Sequence, residues 1–345
     1  MIDDKIIIND KCYKLLAQIG QGSVGKIFKV QFQDQFYAIK KQEYFGEGEL
    51  NFYQNLMKKE NRRFRNLIQI YDFKKIGRFS YIVMELGECS LQHLIEQKQI
   101  DKQNIRFYMQ QIGFGIKELH EDLNLAHRDL KPENILVQTI KSENLNQTQQ
   151  IFKLCDFGYV KNINNLNTKA IGTPYYIPPE LLKNTNNNYN KKCDIWSFGQ
   201  LIYELIAGQL MFQGNTIQII ENQILTITDY KIQYLIDQLV LEKEYKELLK
   251  NMLKINSHER FDILQVLDCL KPRSKSQLKY CPKQTPNQPS IRYPFQKQDI
   301  QFQRQMSPFV QRINIQSQLN HNYFQNQQNN NQIVSVIQNQ KKIEP

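Results

Sequence analysis

The chain has 345 residues, with 45 Lys and Arg against 34 Asp and Glu and a formal net charge of +11. No apolar run approaches the roughly 18 residues needed to span a bilayer, and the length allows about two domains. Six cysteines (Cys12, Cys89, Cys155, Cys193, Cys269, Cys281) lie far apart with no CxxC pair, which argues against a zinc site or a disulfide scaffold and fits a reducing compartment.

The N-terminus, Met1 to Ile8, carries acids where a signal peptide carries positive charge, so an intracellular location is expected, cytoplasmic with nuclear access. Residues 10–90 read mainly as strands. Tyr13 to Ile19 runs into a Gly-rich turn, and Lys26 to Val30 and Gln35 to Lys40 follow with β-branched and aromatic content. Between Glu49 and Lys59, Leu50, Phe52, Tyr53, Leu56 and Met57 have helical spacing. Leu67 to Phe73 and Ser80 to Met84 return to strand patterns.

After Gly87 the pattern becomes helical. Ile105, Tyr108, Met109, Ile112, Ile116 and Leu119 form one apolar stripe. Two short strands flank a polar surface loop at residues 139–150. Ile195 to Ile206 is apolar almost all round, as a buried helix is, and helices are expected over Glu244 to Leu253 and Phe261 to Leu270. Strands first and helices after predict an α+β architecture in two lobes.

From Pro272 onward Gln and Asn make up about a third of the residues, and ten Lys and Arg outnumber two Asp and Glu, a net of +8. Residues 1–271 hold 35 and 32, a net of +3. Such a basic tail, 272–345, buries too little apolar surface to offset ordering entropy, so disorder is expected. Its spaced aromatics, Phe302, Phe309, Tyr323 and Phe324, offer docking points for partners. It lacks Lys/Arg runs and any folded nucleic-acid motif, so no specific nucleic-acid partner is expected.

Four stretches carry chemistry. Gly20-Gln21-Gly22-Ser23-Val24-Gly25 is a GxGxxG turn whose backbone N–H groups can approach phosphate oxygens. It is followed by a strand, which disfavours a dinucleotide-binding site. Lys40 lies on the strand facing that turn, with Glu49 as the preferred anion to fix it, since the apolar spacing after it matches an inward-facing helix, and Glu47 as the nearby rival. His127 to Asn134 packs Asp129, Lys131 and Asn134 into a loop that can accept a proton, neutralise a phosphate and ligate a hard cation. Asp156-Phe157-Gly158 puts an oxygen ligand at a strand end.

Together, in this order and spacing, these stretches resemble the eukaryotic protein kinases from about Tyr13 to Leu270. Pro178-Pro179-Glu180 and Asp194-Ile195-Trp196-Ser197-Phe198-Gly199 extend the likeness. The resemblance implies a bilobal kinase-like fold over residues 10–271, with a β-rich lobe at about 10–86 and a helical lobe at about 87–271. It also implies Mg2+ and ATP as cofactors and protein Ser/Thr hydroxyls as acceptors. The loop His127-Arg128-Asp129-Leu130-Lys131-Pro132-Glu133-Asn134 and Gly172-Thr173-Pro174 resemble the serine/threonine group.

The roles implied are as follows. Asp129 orients the acceptor hydroxyl, and Lys131 stabilises the transferring phosphoryl group. Asn134 and Asp156 hold metal. Lys40, paired with Glu49, holds phosphates. The nucleotide lies among Ile19, Gly20, Gly22, Ser23, Gly25, Ile27, Ala38 and Leu136. Met84 sits at the back, and Glu85 to Gly87 form a hinge that meets the base. Tyr53, Ile70, His127 and Phe157 stack as an internal column, and Thr173 lines the acceptor site. Asp194 anchors the catalytic loop, Glu180 pairs with Arg260, and Thr168 is the candidate activation-loop phosphosite near Arg128. Three departures stand out: the short Lys40–Glu49 spacing, Val24 at the glycine-loop tip, and Pro178 in place of Ala. A catalytically dead relative typically lacks Lys40, Asp129, Asn134 or Asp156; all four are present here.

Overall fold

A computed structural model describes residues 5–21, 25–43, 52–54, 56–57, 64–141, 148–158, 161–162, 174–183 and 190–271. The chain divides into two units, Met1–Leu267 and Asp268–Pro345; the first is described here. The expected disordered tail, 272–345, lies outside the described residues, as does most of the helix expected at Glu49 to Lys59. Only 52–54 and 56–57 of that stretch are described, and they are helical.

The first lobe is a six-stranded sheet in the order β1-β2-β3-β4-β6-β5, every pair antiparallel. The strands are Lys5–Ile8, Lys11–Gln21, Gly25–Phe32, Gln35–Gln42, Ile70–Ile76 (β5) and Phe79–Glu85 (β6). Period-two alternation sorts their side chains to two faces. Ile8, Tyr13, Val30, Ile39 and Val83 form a fully buried cluster on one face. Ala38 and Lys40 point the other way, Ala38 opposite Met84 and Lys40 opposite Ile27 and Ile82.

The two outer strands meet through side chains. Asn9 Nδ2 donates to Asp72 Oδ1 at 2.7 Å and to Phe73 O at 3.2 Å, and Lys11 lies 3.6 Å from Asp72. The sheet thus curls around its own apolar cluster. Burial, followed by the nearby Asp72 and Tyr37, pushes the Tyr13 hydroxyl up to about 12.

Two strand expectations need correction. The segment at Leu67 is not the start of a strand in this sheet: β5 begins at Ile70. Leu67 makes an isolated parallel bridge to Leu154 instead. Its apolar pattern records burial by backbone docking rather than sheet membership. After the two-residue strands Cys89–Ser90 (β7) and Leu125–Ala126 (β8), the polar loop is also shorter than expected, because Ile135–Lys141 (β9) and Thr148–Leu154 (β10) extend into it as seven-residue partners.

The second lobe is helical. The stripe on Ile105–Lys117 is buried as its period requires, and a single π turn, Glu118–Asp122, continues it. On Lys192–Ala207 every residue from Cys193 to Ile206 is buried. That helix stops at Gly208, whose φ of +73° suits glycine and whose N–H reaches Glu204 O at 2.8 Å. Further helices cover Leu91–Glu96, Pro179–Leu182, Ile217–Thr226, Asp229–Asp237, Lys243–Met252 and Ile263–Cys269. Among the described residues no helix is long and apolar enough to cross a membrane.

The Glu180–Arg260 pair is present, with Arg260 fully buried and Glu180 partly so. Arg260 Nη1 donates to Glu180 Oε1 at 2.7 Å and to Lys192 O at 2.8 Å. Nη2 donates to Glu180 Oε2 at 3.1 Å and to Lys254 O at 2.9 Å, and Nε to Lys254 O at 3.0 Å. These contacts use all five guanidinium donors, and the cation lies over the Trp196 ring at 5.2 Å. Removing it strands a carboxylate and two carbonyls. Arg260→Met is therefore expected to cost about 3–5 kcal/mol in urea unfolding. Arg260→Lys, with three donors at most, should fall between it and the wild type.

Candidate active site

The loop from Leu125 to Asn134 is made of pieces that cannot form a helix or a sheet alone. Leu125–Ala126 is a two-residue strand paired with Lys161–Asn162. Arg128 then takes φ +69°, a left-handed conformation that costs a non-glycine residue about 1 kcal/mol or more. Pro132 opens a 3-10 turn, Pro132–Asn134, that leads into β9.

Asp194, on a helix 66 residues further on, holds this strained turn. Its Oδ2 accepts the His127 N–H at 2.7 Å and its Oδ1 the Arg128 N–H at 2.8 Å. His120 Nε2 lies 2.8 Å from Oδ2. Burial acts against this carboxylate's charge, but the His120 contact, His127 and the Arg128 N–H outweigh it, and the group is held below the ordinary aspartate range.

His127 is fully buried. Its Nε2 faces the Cys155 carbonyl at 3.0 Å, which can only accept, so that nitrogen carries the proton. Asn134 O in turn accepts the Cys155 N–H at 2.9 Å. The loop therefore grips both backbone polar groups of Cys155, the residue just before Asp156. Asp156 itself turns at φ +61°.

Five charged or polar side chains converge there. Lys40 Nζ is 2.6 Å from Asp156 Oδ1. Lys131 Nζ is 2.9 Å from Asp129 Oδ2. Asn134 Nδ2 donates to Asp129 O at 2.8 Å and to Asp129 Oδ2 at 3.0 Å. Burial works against both charges at Asp156 and Lys131, but the neighbours prevail. Lys40, Lys131 and His127 hold Asp156 low. Asp129, Glu133 and Asp156 hold Lys131 above the ordinary lysine range. Both groups are therefore ionised at neutral pH.

Close packing marks the segment from Met84 to Gly87 and the described glycines Gly20 and Gly25. Met84 is buried beside Ala38, its cross-strand partner. A side chain at Gly87 would press on Leu136, its Cβ only 3.0 Å from the Leu136 Cβ. At Gly25 a Cβ would meet Lys41 O at 2.3 Å, so the turn passes the strand too closely for any other residue. Gly20 packs on Ile27, and Ile19 is half exposed. Glu85 closes β6.

Several expected site residues lie outside the described residues: Glu49 with Glu47, Gly22, Ser23, Val24, Thr168 and Thr173. The expected column of Tyr53, Ile70, His127 and Phe157 needs adjustment. The ring facing Phe157 is Phe52, at 4.7 Å, with His127 on Phe157 at 5.8 Å and Tyr53 beside Phe52 at 5.6 Å. Two adjacent aromatics on one helix turn cannot be told apart by apolar spacing alone.

Sequence reasoning missed the strip at residues 65–69 that crosses between the lobes. Arg65 N and Asn66 N donate to the Glu118 carboxylate at 2.9 and 3.0 Å. The Asn66 side chain donates to Gln111 Oε1 and Phe152 O. The cluster Asn66, Gln111 and Glu118 is a polar anchor in which Asn66 lies 45 positions from Gln111 and 52 from Glu118, and no local pattern announces it.

Comparison with known proteins agrees with this geometry. The family model described as protein kinase domain matches residues 13–269, and the chain belongs to that family. It is 30% identical over 259 residues to the cAMP-dependent protein kinase catalytic subunit 2 of Drosophila melanogaster, covering 72% of this chain and 68% of that one. It is 30% identical over 291 residues to calcium-dependent protein kinase 4 of Plasmodium berghei, covering 77% and 50%. To the human serine/threonine-protein kinase ULK1 it is 28% identical over 209 residues, covering 58% and 20%. The chain thus spans half or less of the length of several of these relatives. The bilobal α+β fold described above is that of the family.

The low-lying Asp194 and Asp156 carboxylates set the acid limit of the fold. A carboxyl whose folded value is depressed adds stability above its unfolded value, about 3.9, and loses it as pH falls through the folded one. Asp194→Asn is expected to melt well below the wild type at pH 7. The gap should narrow steadily as pH is lowered past roughly 4 in a melting series.

Proposed function

We propose that this chain is a protein serine/threonine kinase that transfers the ATP γ-phosphoryl group to protein hydroxyls with Mg2+. The observation that carries this reading is the complete charge set around Asp156. Lys40 and Asp129 are both 6% exposed, and a fold that needed only stability gains more from apolar residues there. Placing Lys40 and Asp129 out of water, beside Asp156 and Lys131, makes sense if a phosphate completes the set.

Asp129 orients the acceptor hydroxyl and receives its proton. Asn134 and Lys131 fix its carboxylate for that task, and Lys131 also faces the charge that develops on the phosphoryl oxygens. Lys40 holds the α- and β-phosphates. The backbone of the glycine turn covers them, and Ile19, Ile27, Ala38 and Leu136 enclose the base against the hinge at Glu85 to Gly87.

The donor set fits a hard divalent cation. Asp156 offers a carboxylate, and Asn134, its Nδ2 spent on Asp129, offers its amide oxygen. Among the described residues no group of three or more His, Cys, Asp or Glu could hold a metal alone, as suits an ion whose remaining ligands are phosphate oxygens. When bound, Mg2+ supplies charge neutralisation between the phosphates. Lys131 and the loop His127 to Asn134 support Ser/Thr over Tyr acceptors by their likeness to that group. The five described cysteines are free thiols, which supports a reducing cytoplasmic or nuclear compartment.

With radiolabelled ATP and a generic acceptor protein, Asp129→Asn and Lys40→Met are each expected to lower incorporation by roughly 100-fold or more. Phosphoamino-acid analysis of the wild-type product should give phosphoserine and phosphothreonine. Equal labelling by all three proteins would overturn the assignment.

A further inference from the structure

A second buried ion pair lies beside the site and takes no part in the chemistry above. Lys153 Nζ is 2.8 Å from Glu85 Oε2, with the side chains only 12% and 15% exposed. Lys153 stands on β10 three residues before Asp156, and opposite Leu136 on β9. Glu85 follows Met84 at the start of the hinge.

Gln69 closes the triangle. Its N–H donates to the same Glu85 Oε2 at 3.2 Å, and its carbonyl accepts the Glu85 N–H at 2.9 Å. The strip carrying Gln69 is itself tied to β10, through Ile68 N to Leu154 O and Leu154 N to Asn66 O, each at 2.8 Å. Glu85 is thus fixed by main chain and side chain together. Both routes lead to β10, the strand that ends two residues before Asp156.

The two ends of this brace are the two ends of a nucleotide in the reading above, on which this inference rests. The hinge meets the base, and Asp156 with Lys40 meets the phosphates. A hinge free to shift relative to β10 would have to be ordered each time a nucleotide binds. We infer that Lys153 is a positioning residue for nucleotide binding, holding the hinge at the spacing from Asp156 that ATP requires. Such preorganisation strengthens ground-state binding. It makes no contact with the reacting atoms, so its loss is read in KM and not in kcat.

The test uses the full chain with Lys153→Met, Lys153→Arg, and the double variant Glu85→Gln with Lys153→Met, which leaves no lone buried carboxylate. Measured are KM for ATP, kcat, the Kd of ADP by calorimetry, and the melting temperature. Lys153→Met is expected to raise KM and the ADP Kd about five- to tenfold with kcat within about twofold. Lys153→Arg should restore both to near wild type, because a guanidinium keeps the ion pair. The double variant should show the same rise at a melting temperature near that of the wild type. Unchanged KM and Kd in both Met-containing variants would overturn the inference, as would a fall in kcat at unchanged KM. A wild-type chain that failed to bind ADP would instead overturn the kinase reading beneath it.

Discussion

A single carboxylate, Asp194, sets the geometry on which the catalytic loop depends. A charge at 1% exposure is costly unless every lone pair is used. Here two consecutive backbone N–H groups and an imidazole nitrogen use them. The arrangement holds Arg128 in a conformation its side chain disfavours, and that turn aims Asp129 at the cleft. The strain is local, while the group that sustains it belongs to the most buried helix of the second lobe. Placement of Asp129 is thereby fastened to the core.

The same economy joins the two lobes. Cys155, just before Asp156, is held through both its backbone polar groups by the loop that carries Asp129 and Asn134. The 65–69 strip is clasped in turn by Glu118, Leu154 and Glu85. Among the described residues several little-exposed cations each meet a carboxylate: Lys40 with Asp156, Lys131 with Asp129, Lys153 with Glu85, Arg260 with Glu180. Each pair links segments distant in sequence, apart from Lys131 and Asp129, whose closeness lets one loop present both a carboxylate and a cation.

Much of this was legible in the residues. Alternation marked β2, β3, β4 and β6, and the helical stripe from Ile105 to Leu119 is buried at every position named. The order of Lys40, Asp129, Asn134 and Asp156 brought the family to view. What escaped has physical reasons. The strand Lys5–Ile8 is four residues long and ends in three isoleucines, which show no alternation. Leu67 and Ile68 look like strand because backbone docking buries them. The helices Ile217–Thr226 and Asp229–Asp237 were overlooked although Thr216 and Thr228 cap them by accepting the Ile219 and Lys231 N–H groups; that signal was available. Lys153 and Glu85 lie 68 positions apart, and no periodicity relates them.

The order of these pairings along the chain also has a consequence for how the protein is made. Asn9 and Asp72, which bring the outer strands of the first lobe together, are separated by 63 positions, and all six strands are present once Glu85 has been synthesised. Lys40 must wait 116 positions for Asp156. On a chain emerging from the ribosome N-terminus first, the strand bearing Lys40 therefore has all its sheet neighbours before the loop that carries Asp129 has been translated. The pair of Lys40 with Asp156 is thus the last of these contacts to form on the sheet that carries Lys40.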